Sequence, residues 1–161
     1  MLLGIISDTH DHIPNTRKAA ELFKVQGIKH VIHAGDLCSP FMVPEFADFQ
    51  LYTVFGNNDG DHYRILQKAA DINAEHKGEF ARLSFDGKRI AVYHGTQADI
   101  TEALLHCQLY DVVISGHTHT AFSKQEQNTL WINPGSAHGF GKSPTAAVYD
   151  TTANEARIVQ L

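Results

Sequence analysis

The chain of 161 residues carries 13 Lys and Arg against 18 Asp and Glu, a formal net charge of -5 with histidine neutral. Its length suits one domain with a hydrophobic core. A content of 43% hydrophobic and 19% charged residues is typical of globular rather than disordered or fibrous proteins. Because no cluster of Lys and Arg stands out, we expect no stable binding of long nucleic acids. No apolar run approaches the roughly 20 residues that cross a bilayer, so we expect no membrane association.

The N-terminal sequence MLLGIISDTHD has no basic residue ahead of its apolar stretch. We therefore interpret it as a first strand rather than a signal peptide. The two cysteines, Cys38 and Cys107, form no CxxC pair and are too few for a disulfide framework. Both observations indicate a cytoplasmic protein.

In chain order, strand and helix patterns alternate through the first two thirds of the chain. The predicted strands there are residues 2–7, 30–34 and 51–55, and the predicted helices are residues 15–26, 41–48 and 63–70. After Gly78, the segments EFARLSF and KRIAVYH flank the turn pair Asp86 and Gly87, which predicts a β-hairpin. A helix over residues 100–107 and the strand DVVIS follow. The remainder predicts four short strands, FSKQEQ, TLWI, TAAVYD and ARIVQL.

This order of elements predicts the architecture. Alternating strands and helices favour a parallel sheet covered by helices, and the later meander favours a second, largely antiparallel layer packed against it. No linker or solenoid repeat divides the chain, so we expect one domain over residues 1–161. The expected fold is α/β, a four-layer αββα sandwich of two mixed β-sheets.

Seven residues with metal-binding side chains lie at or just past the ends of strand-like runs. They are Asp8, His10, Asp36, Asn57, His94, His117 and His119. Because ligands of open α/β sheets bind outside the carboxyl ends of the strands, this placement predicts a single site there. Carboxylate, imidazole and amide ligands together suit Zn, Mn, Fe or Ni better than calcium.

Each motif also has an ordinary structural explanation when it is taken alone. Gly35-Asp36 and Gly56-Asn57 are common turn sequences, and Asp near His is frequent in turns. The pair His117 and His119 is a stronger signal, because residues two apart on an extended segment point the same way. The joint occurrence of five such signals at strand ends favours the metal site.

The ordered series D-x-H, G-D, G-N-x-D, H-G and G-H-T-H resembles the calcineurin-like metallophosphoesterase superfamily. The short length and INPGS at residues 132–136 resemble its compact bacterial and archaeal phosphodiesterase branch, which shares its fold with the scaffold protein Vps29. The resemblance implies two divalent ions about 3.5 Å apart, manganese first, with zinc, iron or nickel as alternatives. One ion would bind Asp8, His10 and His119, the other Asn57, His94 and His117, with Asp36 bridging them.

By the same resemblance, a hydroxide bridging the two metals hydrolyses a phosphoester bond, most simply that of a small phosphodiester. Many members have histidine where this chain has Asn58, and asparagine cannot deliver a proton to the leaving group. We therefore expect a preference for acidic leaving groups. Asn58 and Asp59 are secondary catalytic candidates, and His12 with Asn58 are candidates for substrate binding.

The alternative is a metal-poor scaffold of the Vps29 type that binds partner proteins. Because all seven ligand positions carry competent residues, the sequence favours the enzyme. Nuclease activity on DNA is disfavoured by the absence of a capping domain and of a basic groove. The resemblance also allows a homo-oligomer, although no interface is visible in the sequence.

Overall fold

The computed structural model describes residues 1–161 and contains three α-helices, a 3₁₀ helix and eleven strands. The helices are α1 (Ile13–Val25), α2 (His62–Asp71) and α3 (Ala98–His106), and the 3₁₀ helix is Pro40–Phe46. The strands are β1 (Leu2–Ile6), β2 (His30–His33), β3 (Gln50–Thr53), β4 (Glu75–His76), β5 (Phe80–Phe85), β6 (Lys88–Tyr93), β7 (Val112–Ile114), β8 (Phe122–Glu126), β9 (Thr129–Asn133), β10 (Thr145–Asp150) and β11 (Glu155–Gln160).

The strands form two mixed sheets, as the sequence predicted. The first has the order β11-β10-β1-β2-β3-β4, with β1 to β4 parallel and β10 antiparallel to both of its neighbours. The second has the order β5-β6-β7-β9-β8, with β6, β7 and β9 parallel and the edge strands β5 and β8 antiparallel. Parallel strands therefore occupy the centre of each sheet.

The expectation of a largely antiparallel second layer was wrong. Its centre is parallel because α3 carries the chain from the end of β6 back to the start of β7, as parallel neighbours require. The last two strands return to the first sheet, where β10 pairs with β1 from Leu2 opposite Asp150 to Ile5 opposite Ala147. A local strand pattern identifies a strand but not its partner, so this pairing was not visible in the sequence.

Three hydrophobic clusters separate the four layers. The first cluster, with Phe23 and Leu51, packs α1, α2 and the 3₁₀ helix against the outer face of the first sheet. The second, with Ile5 and Val92, fills the space between the sheets. The third is small and packs α3 against the second sheet through Leu105. The predicted αββα order is confirmed.

Most predicted element bounds lie within two residues of the observed ones. The helix predicted over residues 41–48 is instead the 3₁₀ helix, which contains Pro44, a residue that cannot donate an α-helical hydrogen bond. The two-residue strand β4 was not predicted. None of the α-helices combines the length and the apolarity that a membrane crossing requires.

The carboxyl ends of the parallel strands β1, β2, β6 and β7 bring loops of both sheets together. The backbone N–H of Asp8 donates to the carbonyl of Gly35 at 3.0 Å, and that of Gly116 donates to the carbonyl of His94 at 2.8 Å. A further bond joins the sheets, from the N–H of His117 to Asp8 Oδ2 at 3.1 Å. The loops that carry the predicted ligands therefore form one connected edge.

Candidate metal centre

The backbone at this edge is strained in a way that points to function. Five of the seven predicted ligands have positive φ angles, namely Asp8 (54°), His10 (40°), Asp36 (60°), His117 (65°) and His119 (55°). A residue with a side chain adopts this left-handed conformation at a cost of about 1–3 kcal/mol, and such residues cluster at active sites. The fold therefore aims these side chains inward at the expense of backbone stability.

Two glycines allow the loops to approach one another closely. A Cβ atom at Gly56 would overlap the side chain of Asp36. One at Gly116 would overlap Ser7 and lie 2.6 Å from Asp8 Oδ2. The glycines of the G-N and G-H-T-H motifs are therefore required by space, since any side chain would push the carboxylates out of place.

One group of ligand atoms unites Asp8, His10 and His119, whose atoms all lie within 4.8 Å of one another. His119 Nε2 is 3.1 Å and His10 Nε2 is 3.7 Å from Asp8 Oδ1. Asp8 is fully buried, whereas the two imidazoles are half-buried at the rim. This group has the same members as the first ligand set that the sequence predicted.

A second group unites Asp8, Asp36 and His94, all of them buried. Asp36 Oδ2 lies 3.3 Å from His94 Nε2 and 3.5 Å from His10 Nε2. It therefore lies between one member of each predicted ligand set, the position expected of a bridging residue. Asp8 also belongs to both groups, which the sequence did not predict.

The other members of the second predicted set lie farther out. The His117 ring is 5.2 Å from the His94 ring, centroid to centroid, and belongs to neither group of close ligand atoms. Asn57 is exposed, and its side-chain oxygen accepts a 3.5 Å hydrogen bond from Thr96. The structure thus assembles Asp8, Asp36, His10, His94 and His119 closely and holds His117 and Asn57 beside them.

Unpaired buried atoms test whether this centre fits a metal. Asp8 Oδ1, His10 Nε2 and His94 Nε2 are buried and have no hydrogen-bond partner. Each such atom costs about 1–3 kcal/mol. The Nδ1–H of His94 donates to the carbonyl of Ala34 at 2.7 Å, which turns Nε2 toward the carboxylates. Divalent cations bound here would satisfy all three atoms, so the residues fit the ions that the sequence predicts.

The electrostatics of the centre also call for positive charge. Burial opposes the charged form of Asp36, but the close approach of His94 and the hydrogen bonds from Asn58 outweigh it and hold its pKa well below the usual range. Burial likewise opposes ionisation of Asp8, yet its contacts with His10 and His94 lower its pKa overall. Burial disfavours the charged imidazole of His94, but Asp36 and Asp8 raise its pKa. The two carboxylates are therefore ionised and able to bind cations.

The secondary candidates lie close to these groups. Asn58 donates to Asp36 twice, from its backbone N–H to Oδ1 and from its side-chain amide to Oδ2, both at 2.8 Å. His12 caps α1, where its Nδ1 accepts a 3.2 Å bond from the N–H of Asn15. Asn58 thus contacts the centre directly, whereas the capping bond gives His12 a structural task and nothing places it on a substrate.

Asp59 has a geometry that favours positioning over the catalytic role suggested by the sequence. It is buried, and both carboxylate oxygens accept backbone N–H groups. The donors are Asp36 at 3.1 Å, Gly56 at 2.6 Å and Cys38 at 2.7 Å. Asp59 therefore fixes the loop that carries Asp36 to the loop that carries Asn57.

A glycine-rich loop, of which the sequence places only His138 at the rim of the site, covers one side of the centre. Phe140 stacks on His138 with ring centroids 3.8 Å apart and lies parallel to His119 at 5.3 Å. Its ring also meets His10 edge-on at 4.8 Å. The sequence SAHGFGKS predicts only a mobile loop, because Gly-Phe-Gly has no periodicity that would tie the phenyl ring to a partner.

The comparisons with known proteins agree with this geometry. The profile of the calcineurin-like phosphoesterase superfamily domain matches residues 1–154. A phosphodiesterase of Methanocaldococcus jannaschii is 38% identical, over 100% of this chain and 99% of its own length. The chain therefore belongs to the calcineurin-like phosphoesterase superfamily.

Solved structures give the same fold. A structure of an archaeal phosphodiesterase superposes with a TM-score of 0.94 at 38% identity and covers 100% of both chains. Vps29 from Cryptosporidium parvum superposes with a TM-score of 0.72 at 19% identity, over 99% of this chain and 96% of the other. At that identity the second likeness is one of fold alone.

Proposed function

We propose that this chain is a metal-dependent phosphodiesterase whose centre binds two divalent ions, with manganese as the first expectation. The observation that carries the proposal is the convergence of unpaired buried atoms of Asp8, His10 and His94 beside Asp36. Similarity over the whole chain to an archaeal phosphodiesterase supports the choice of diesters. No Lys or Arg forms an ion pair with these carboxylates, which suits a singly charged diester better than a doubly charged monoester.

In this proposal the seven residues divide as the sequence predicted. Asp8, His10 and His119 would hold one ion, Asn57, His94 and His117 would hold the other, and Asp36 would contribute to both. Asp8 lies in both groups of close ligand atoms and would therefore support both ions as well. When bound, the ions would acidify a water molecule to make the nucleophile and stabilise negative charge on the phosphoryl oxygens. The protein orients its ligands through the carbonyl of Ala34, which fixes His94, and the thiol of Cys38, 3.4 Å from His10 Nδ1.

The leaving-group side of the reaction depends on Asn58. Its side chain is exposed beside Asp36 and carries N–H groups that can donate to a phosphoryl oxygen. Because an amide cannot give up a proton at neutral pH, nothing at this position protonates the leaving oxygen. Substrates with acidic leaving groups, such as aryl esters, should therefore react fastest.

Metal removal and resupply test the proposal. Chelated protein is resupplied with Mn, Ni, Zn or Fe, and metal content and initial rates are measured on bis(p-nitrophenyl) phosphate and p-nitrophenyl phosphate. We expect two ions per chain and faster cleavage of the diester. Asp36→Asn should lower the rate at least about 100-fold, whereas Asp48→Asn, which alters an exposed carboxylate paired with Lys24, should not. Resupplied protein that cleaves neither ester would contradict the proposal.

The alternative function, a protein-binding scaffold, predicts that the chain does not depend on divalent ions. A Vps29-type scaffold has no need for strained loops that bring five metal-binding side chains close together, and the alternative is therefore disfavoured. It would regain support if the chain bound no divalent ion at micromolar concentration. The expected cytoplasmic location, the expected lack of stable nucleic-acid binding and the homo-oligomer stay predictions from the sequence.

A further inference from the structure

A cavity of about 320 Å³ opens beside Asn57. Cavities of this size bind small organic molecules. Asn57 itself forms part of the wall, together with Phe55, Tyr93, Ile100, Glu79 and Gln97. The cavity shares no residue with the aromatic cluster of Phe140 on the other side of the centre. It is therefore a recess that a substrate bound at the centre can enter.

The wall of the cavity is partly aromatic and apolar. Phe55 is held between two imidazoles, with its centroid 3.8 Å from that of His62 and 3.9 Å from that of His76. Both faces of its ring are therefore covered, and the ring presents its edge to the cavity. The hydroxyl of Tyr93 accepts the backbone N–H of Gln97 at 3.0 Å, so its own proton is free to donate. Ile100 adds an apolar side chain that is 46% exposed. Aromatic and apolar side chains together with a few polar groups are typical of sites for small organic ligands.

The charge of the cavity also favours some substrates over others. Glu79 is exposed on the wall and forms no ion pair with any residue, and no Lys or Arg lines the cavity. A second phosphate on the substrate would therefore meet an uncompensated carboxylate. Two like charges several ångströms apart near a protein surface repel each other enough to change binding by roughly threefold to tenfold.

We propose that this cavity binds the larger, retained substituent of a phosphodiester and selects an organic group without further negative charge, such as a nucleoside. The inference rests on the proposed function, since it requires a diester at the centre. It makes the substrate a small diester rather than an internal linkage of a nucleic acid, because internal linkages carry a phosphate on both sides.

Two chromogenic esters that differ only in one phosphate test the effect of the negative charge of Glu79. They are thymidine 5′-(p-nitrophenyl phosphate) and the same compound with a 3′-phosphate. The manganese-loaded wild type should prefer the first by about threefold to tenfold in kcat/KM, mainly through KM. Glu79→Lys should abolish or reverse the preference, Glu79→Gln should reduce it, and Glu155→Lys, at an exposed carboxylate on β11, should leave it unchanged.

The apolar wall has its own test. Ile100→Ala should raise KM for the thymidine ester a few-fold and leave methyl p-nitrophenyl phosphate unaffected, since a methyl group leaves the cavity empty. Leu109→Ala, an exposed residue outside the cavity, is the matched control. If Glu79→Lys keeps the wild-type preference and still hydrolyses bis(p-nitrophenyl) phosphate, the inference is wrong. Failure to hydrolyse any of these esters would instead contradict the proposed function.

Discussion

The two sides of the metal centre differ in what covers them. On one side the phenyl ring of Phe140 lies across His10 and His119. On the other side Asn57 and Asn58 are exposed, and Asn57 borders the cavity. The closed side is suited to retaining an ion and the open side to admitting a substrate. We therefore expect the ion on the closed side to bind more tightly.

The largest expected effect comes from Asp8, because its oxygen belongs to both groups of ligand atoms. Asp8→Asn keeps the volume and removes the charge, so both ions should be lost and the diesterase rate should fall at least about 1,000-fold. Metal analysis and initial rates with excess manganese measure this. Asp71→Asn, at an exposed ion pair with Lys68, is the control and should behave as wild type. An Asp8→Asn protein that still holds two ions would show that the sides do not share this residue.

Asn57 tests the open side alone. Asn57→Ala should leave one tightly bound ion per chain, because Asp8, His10 and His119 are untouched, and should lower the rate about 100-fold. Titration calorimetry with manganese should show two binding events in the wild type and one in the variant. Asn128→Ala, at an exposed turn between β8 and β9, is the matched control. Loss of both ions in Asn57→Ala would mean that the two sides bind metal as one unit.

Much of this arrangement was predictable because strand ends, ligand types and turn glycines are local signals. The strand-end placement of Asp8, Asp36 and His94 was enough to expect a common site, and the structure brings these three together. The return of β10 to pair with β1 was not predictable, since pairing between strands more than 140 residues apart leaves no local pattern. The position of Phe140 was missed for the same reason, because only the folded loop brings its ring to His119.

A substitution at Asn58 tests how the open side of the centre takes part in the reaction. Asn58→His would place an acid on the open side, and rates for poor leaving groups such as alkyl esters should rise about 10- to 100-fold. Rates for p-nitrophenyl esters, whose leaving group needs no proton, should change little. A series of aryl diesters gives the dependence of rate on leaving-group pKa, which should be steep in wild type and shallow in Asn58→His. Asn58→Ala is the control, because it also loses the bond to Asp36 but adds no acid.

The smallest expected effect is on stability and concerns the wall of the cavity. Burial lowers the pKa of His76 to about 4, and the neighbouring His62 adds to the shift. Between the usual histidine pKa of about 6.5 and about pH 4, His76 binds a proton in the unfolded chain but not in the folded protein. The free energy of unfolding should therefore fall by about 1–3 kcal/mol as the pH drops from 6.5 to 4.

Denaturant unfolding of metal-free protein at pH 7 and pH 4.5 measures this loss. His76→Gln should lose less stability over that range than wild type, because its side chain takes up no proton in either state. His106→Gln, at an exposed histidine, should keep the wild-type difference. An equal loss in wild type and His76→Gln would contradict the assignment. Because His76 packs on Phe55, which lines the cavity, a confirmed effect would link the acid stability of the chain to the wall of the cavity.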